Sequence, residues 1–201
     1  MSILQTHALQ LILASTSPYR RELLQRLQVP FEVVAPEVDE TPLPHETPEA
    51  TAVRLSQLKA RAVQTVYPNA LIIGSDQVAT VDGLQLGKPG THQRAVEQLS
   101  LMAGKSVVFH TALSLYNSAS GSMQTACVPT TVHLRPLTAS QIESYLRKDE
   151  PYNCAGSARI ETLGIAVISK LESDDPNALI GLPLITLTQM LANEGLDVLT
   201  W

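Results

Sequence analysis

Arg20 and Arg21 stand in the first turn of a helix that Ser17-Pro18 begins, directly after Ser15-Thr16-Ser17. The N-terminal end of a helix dipole favours acidic residues, so two arginines there run against local electrostatics. A bound anion resolves the conflict. Backbone N–H groups at a helix start, hydroxyls and a guanidinium fork together make a phosphate or carboxylate site. Solvated arginines on an ordinary capped helix are the alternative.

Lys59 is a second charge out of place. At about 100° per residue it falls between Leu55, Ala62 and Val63, inside the apolar arc of its helix. It is either a snorkelling lysine or a cation projected into a cleft to neutralise phosphate charge. Leu71-Ile72-Ile73-Gly74-Ser75-Asp76-Gln77 runs from a buried strand into a carboxylate, and the C-terminal ends of such strands are where α/β proteins place chemistry. Gly74 allows a close approach by another backbone or a ligand. Glu37, Asp39 and Glu40 follow another strand, and a few neighbouring carboxylates can hold Mg²⁺ alongside substrate phosphates. Gly87-Lys88-Pro89 adds a cation in a rigid turn, without the G-x-x-x-x-G-K-[ST] pattern of a Walker A loop.

The elements that must position these residues alternate between strand and helix period, which predicts an α/β chain. Strands are expected at Leu9 to Ala14, Phe31 to Ala35, from Leu71, and at Gly164 to Leu171. Helices are expected from Ser17-Pro18 with Leu23, Leu24 and Leu27 buried, at Thr47 to Tyr67 with Leu55, Leu58, Ala62 and Val66 on one face, at Thr91 to Met102, and at Pro183 to Asn193. Asp82-Gly83 reads as a turn, and Thr138-Ala-Ser-Gln141 as a capping box starting a helix that ends near Lys148. Val107 to Tyr116 and Met123 to Leu134 read as an antiparallel pair joined by Asn117 to Gly121. Strands joined both by helices and by a hairpin predict a mixed, elongated, twisted sheet with helices on its faces. One domain over residues 1–201, with a cleft between two lobes, is the expected organisation.

Composition narrows the function. The 201 residues carry a formal net charge of −5 and a pI near 5.5, which argues against affinity for a polynucleotide backbone. No apolar run approaches the roughly 18 residues that cross a bilayer, and Met1 to Gln10 lacks the basic start of a leader. With only Cys127 and Cys154, there is no disulfide framework, so a reducing, cytoplasmic setting is expected. The five histidines form no H-x-x-x-H or H-E-x-x-H pair, and zinc is not expected.

Taken in order, Leu11-Ile-Leu-Ala-Ser-Thr-Ser-Pro-Tyr-Arg-Arg21, Val38-Asp39-Glu40, Lys59-Ala60, Ile73-Gly-Ser-Asp-Gln77, Gly87-Lys-Pro89, Cys154-Ala-Gly-Ser157 and Gly181-Leu-Pro183 resemble the Maf family of nucleotide pyrophosphatases. The resemblance covers most of the chain. It implies a fold related to the inosine triphosphate pyrophosphatases, a homodimer, and a divalent cation (Mg, Mn or Co). The family's catalytic aspartate falls on Asp76, and its phosphate-binding positions on Ser15, Arg20, Lys59 and Lys88. Asp39, Glu40 and Asp76 are the candidate metal ligands.

Within the family, three positions resemble the branch that hydrolyses 7-methyl-GTP. That branch has tryptophan, glutamine and glutamate where this chain has Tyr19, Gln77 and Glu161; the dTTP and UTP pyrophosphatases have arginine, threonine and glutamine. Tyr19 keeps aromatic character, while Thr162 replaces a usual glycine. The expected substrate is therefore a small nucleotide, 7-methyl-GTP, cut to 7-methyl-GMP and pyrophosphate, with Asp76 as base or metal ligand. The rivals are a dTTP or UTP pyrophosphatase and a nucleotide-binding regulator of cell division without turnover.

Overall fold

The computed structural model describes residues 9–201, so the expectation about a leader, which rests on Met1 to Gln10, falls almost wholly outside the described residues. Gln10–Ala14 (β1) leads through Ser17 to Pro18–Gln25 (α1), then Glu32–Val34 (β2), Pro48–Ala62 (α2) and Ala70–Val81 (β3). Leu84–Leu86 (β4), His92–Met102 (α3), Ser106–Asn117 (β5), Met123–Leu134 (β6) and Ala139–Asp149 (α4) follow. Two 3-10 turns, Ala155–Ser157 and Leu163–Val167, precede Ile168–Ser173 (β7) and Leu184–Asn193 (α5).

These seven strands form one open, mixed sheet in the order β2-β1-β3-β5-β6-β7, with β4 hydrogen-bonded to β3. β1 is parallel to β2 and β3, and the other pairs are antiparallel. The α/β class, mixed sheet and helical cover expected from the sequence are all present.

β3 organises the molecule. On one flank it pairs with β1 through Gly74 and with β4 only from Ala79, which leaves Ser75 to Val78 without a strand on that side among the described residues. On the other flank it pairs continuously with β5, Asp76 opposite Ala112 and Gln77 opposite Thr111. Side chains alternate along a strand. Ile72 and Gly74 therefore face α2, and Ile73, Ser75 and Gln77 face the opposite side. On that opposite face one apolar cluster joins β1, β3 and β5 to α1 and α5, and a second joins the far ends of β3 and β5 to α3 and α4. The open stretch of β3 lies between them.

Local sequence explains most boundaries. Ser17, Thr47, Thr91 and Thr138 each accept a backbone N–H as N-caps, and Thr138 with Gln141 completes the capping box. The Asp82-Gly83 turn has φ of 50° and 79°, the left-handed pair a tight hairpin requires.

Four expectations need correction. β3 runs to Val81 rather than stopping at the carboxylate, because its polar residues find partners on both faces. α2 ends at Ala62 and buries Thr51, Ala52, Leu55, Ser56, Lys59 and Ala60, so its inner face is rotated from the Leu55, Leu58, Ala62 and Val66 stripe. Leu58 and Val66 are exposed. Leu163–Val167 is a 3-10 turn, not the start of a strand, because Gly164 folds back onto the Arg159 backbone.

Candidate active site

The gap beside β3 opens into a cleft of about 500 Å³ that contains Ser15, Arg20, Glu40, Lys59, Asp76 and Lys88 among its lining. Lys59 comes from α2 and Asp76 from β3, and Gly74 sets their separation. A β-carbon on Gly74 would overlap the Ser56 carbonyl oxygen and lie 2.6 Å from the Ala60 nitrogen. Without one, α2 lies directly against the strand. Lys59 Nζ then sits 2.6 Å from Asp76 Oδ1 and 2.7 Å from Glu40 Oε1. Both Lys59 and Asp76 are buried, whereas Glu40 is exposed. Lysine is not snorkelling here: its charge points inward.

Glu40 reaches this point on a loop pinned to α2. Arg54 donates to both carboxylate oxygens of Glu46 at 2.7 and 2.8 Å and to the Thr41 carbonyl at 3.1 Å. Thr51 Oγ1 also donates to Glu46, at 2.9 Å. Hydrogen bonding from Arg54, outweighing partial desolvation, pulls the Glu46 carboxyl down to about 2. Glu40 is also held below the ordinary carboxylate range: desolvation opposes this, and Lys59, Lys88 and Arg20 outweigh it.

The phosphate-type residues surround this pair. Ser15 is buried where β1 ends, and its Oγ accepts the Ser17 N–H at 3.1 Å. Arg20 Nε donates to the Gly181 carbonyl at 2.8 Å, which aims its guanidinium across the cleft. Burial lowers the Arg20 pKa, and the carboxylates of Asp76 and Glu40 push it back up. Lys88 is exposed at the rim. Arg21 is exposed outside the lining.

The three base-selecting candidates also reach the cleft. Tyr19 is half-buried and Glu161 exposed at the rim. Gln77 lies on the face opposite the Gly74 side of β3, its amide nitrogen 2.9 Å from Thr111 Oγ1, 3.1 Å from the Ala178 carbonyl and 3.0 Å from the Leu179 carbonyl.

Asp39 is the exception among the candidate ligands. Its carboxylate turns back onto its own loop to accept the Thr41 N–H at 2.9 Å, and it is absent from the cleft lining. Sequence reading also missed Ser75, whose hydroxyl lies 2.9 Å from both the Ala112 and Gly181 carbonyls. The polar residue in a buried strand was the available clue.

Among the described residues no group of three or more His, Cys, Asp or Glu gathers as a metal cage. The pair formed by Glu40 and Asp76 nonetheless fits a hard divalent ion. Their oxygens already converge on one cationic nitrogen, and such ions commonly take one or two carboxylates plus substrate phosphates and water.

The family is decided by comparison with known proteins: a family model described as Maf-like protein matches residues 10–194. The chain belongs to the Maf family. A Thiobacillus denitrificans protein named 7-methyl-GTP pyrophosphatase is 64% identical over 191 residues, covering 95% of each chain. Proteins of the same name from Methylobacillus flagellatus and Nitrosospira multiformis are 64% and 57% identical. They cover 94% and 96% of this chain and 98% of their own length. The Maf family assignment accords with the open mixed sheet. Among the described residues no helix is long and apolar enough to cross a membrane.

Proposed function

We propose that this Maf-family chain is a hydrolase that cuts 7-methyl-GTP into 7-methyl-GMP and pyrophosphate. The observation that carries the reading is the Lys59 ammonium held between Asp76 and Glu40 in a cleft of nucleotide size. Relatives bearing that activity in their names support the substrate.

Asp76 Oδ1 is engaged by Lys59, and Oδ2 has no hydrogen-bond partner among the described residues. Oδ2 takes a proton from the water that attacks the α-phosphorus. Arg20, Lys59 and Lys88 hold the phosphates and stabilise charge as pyrophosphate leaves, which is the main task in phosphoryl transfer. Ser15 and the α1 N-terminus orient a phosphate. Glu40 and Asp76 would hold the divalent ion (Mg, Mn or Co), and the Asp39 carboxylate, which lies outside the cleft lining, takes no part. Such an ion supplies positive charge at the phosphoryl oxygens.

Tyr19 offers an aromatic face to the cationic 7-methylguanine ring, and Glu161 accepts from the guanine N1–H and exocyclic amine. Gln77 fixes the wall between them. The protein acts in the cytoplasm as a homodimer and as one unit with its cleft between two lobes. Free Cys127 and Cys154 and the family's habit support that setting.

The test is kcat/KM for 7-methyl-GTP, GTP, dTTP and UTP, with and without Mg²⁺. Preference for 7-methyl-GTP and loss of turnover without metal are expected. Preference for UTP or dTTP refutes the substrate, and binding without pyrophosphate release refutes the enzyme.

A further inference from the structure

Asp149 and Arg159 form an ion pair that the proposed reaction does not use. Arg159 Nη2 donates to the Asp149 carbonyl at 2.8 Å and lies 3.2 Å from Asp149 Oδ1. Its Nε donates to Thr162 Oγ1 at 2.9 Å, and Nη1 to the Tyr19 hydroxyl at 3.4 Å. All three nitrogens of the fork are therefore committed, one of them to the base-facing aromatic residue.

Asp149 is 8% exposed and gathers further donors. Tyr145 hydroxyl donates to Oδ2 at 3.1 Å, and the Leu163 N–H to Oδ1 at 3.3 Å. The Arg159 N–H in turn donates to the Tyr145 hydroxyl at 3.2 Å. Arg159 carbonyl accepts from the Thr162 N–H at 3.3 Å and Thr162 Oγ1 at 3.2 Å, closing a turn whose outer residue is Glu161. The Thr162 hydroxyl thus makes two bonds to Arg159 beside the one from its backbone N–H. Gly164 lets the chain fold back: a β-carbon there would lie 2.5 Å from the Arg159 nitrogen. Hydrogen bonding with Tyr19 and then Asp149, against partial desolvation, raises the Arg159 pKa further.

We propose that the Asp149–Arg159 pair sets the base selectivity of the cleft by positioning Tyr19 and the Glu161 turn together. Arg159 is a positioning residue that grips Tyr19 through its hydroxyl. Asp149 fastens Arg159 and, through Leu163, the far end of the turn. The inference rests on the 7-methyl-GTP reading.

The experiment measures kcat and KM for 7-methyl-GTP and GTP, with melting temperature, in the parent, Tyr19→Phe, Arg159→Lys, Asp149→Asn and the Tyr19→Phe/Arg159→Lys double variant. Arg159→Lys keeps the charge but loses the fork, so KM for 7-methyl-GTP should rise about tenfold with kcat within about twofold. The ratio of kcat/KM for 7-methyl-GTP over GTP should fall about fivefold, and the double variant should fall no further than Arg159→Lys alone. If Asp149→Asn fails to fold, Tyr19→Phe and Arg159→Lys still decide. A lowered melting temperature with the ratio intact overturns the inference, as does a loss confined to kcat. A parent that does not prefer 7-methyl-GTP over GTP overturns the substrate reading and the inference together; a parent that prefers it, with variants that keep the preference, overturns the inference alone.

Discussion

Lys59 Nζ and Asp76 Oδ1 lie 2.6 Å apart across the contact between α2 and β3, and they meet because Gly74 has no side chain. This ion pair and the close packing of α2 on β3 at Gly74 are therefore one structural feature.

That feature predicts what a single methyl group does. Gly74→Ala would push a carbon into the Ser56 carbonyl and the Ala60 nitrogen, backbone atoms that cannot rotate away. Stability should fall by about 1–3 kcal/mol, the range for overpacking, and turnover should fall with it as Lys59 moves off Asp76. Urea denaturation checks this against Gly87→Ala, where no atom lies within 4 Å of the new carbon. Equal stability of the two variants would show that the contact is not tight.

Removing the carboxylate charge tests the base. Asp76→Asn preserves size and should lower turnover by at least about 10²-fold, the lower range for general-base catalysis, with the fold retained by circular dichroism. Near-normal turnover at saturating metal would take Asp76 out of the mechanism.

Lys59→Met keeps the apolar stem and deletes the ammonium. A lysine that only packed would tolerate it, but one facing Asp76, Glu40 and phosphates should lose about 10²-fold in kcat/KM, as when a transition-state donor is removed. Steady-state kinetics beside a melting curve separate the two. A variant matching the parent in both would make Lys59 a packing residue.

Glu46 gives a pH prediction. Its carboxyl falls from the usual 4.5 to about 2 in the folded chain, chiefly through Arg54. A group depressed by folding adds stability above its unfolded pKa and loses it as pH falls through its folded one. The melting temperature of the parent should exceed that of Glu46→Gln above pH 4.5, and the gap should close between about 4.5 and 2. A gap independent of pH would mean that the Arg54 pair does not pin the Glu40 loop electrostatically.

Much of this was legible because the charges of the candidate site break local rules. Arg20 sits at the wrong end of a helix dipole and Lys59 on an apolar arc, so each stood out against its own element. Asp76 ended an apolar run. The caps at Ser17, Thr47, Thr91 and Thr138 and the Asp82-Gly83 turn are local too, and appear as expected. What periodicity could not give depends on contacts distant in sequence. The polar half of β3 is a strand because β5 and the residues at 178–181 satisfy it. Glu40, rather than Asp39, faces Lys59 on a loop that Arg54 holds against α2 through Thr41 and Glu46, while Asp39 turns back onto Thr41. Arg159 and Asp149 answer each other's charge from separate elements: Asp149 is an acid at the C-terminal end of α4, a dipole anomaly that is explained only once Arg159 is brought to it.

The claim at the centre of this account is that water attacks the α-phosphorus of 7-methyl-GTP. Hydrolysis in ¹⁸O-labelled water with Mg²⁺, followed by mass spectrometry of the products, tests it directly. Equal amounts of 7-methyl-GMP and pyrophosphate are expected, with the label in 7-methyl-GMP. Label in pyrophosphate, or release of orthophosphate with 7-methyl-GDP, would contradict it.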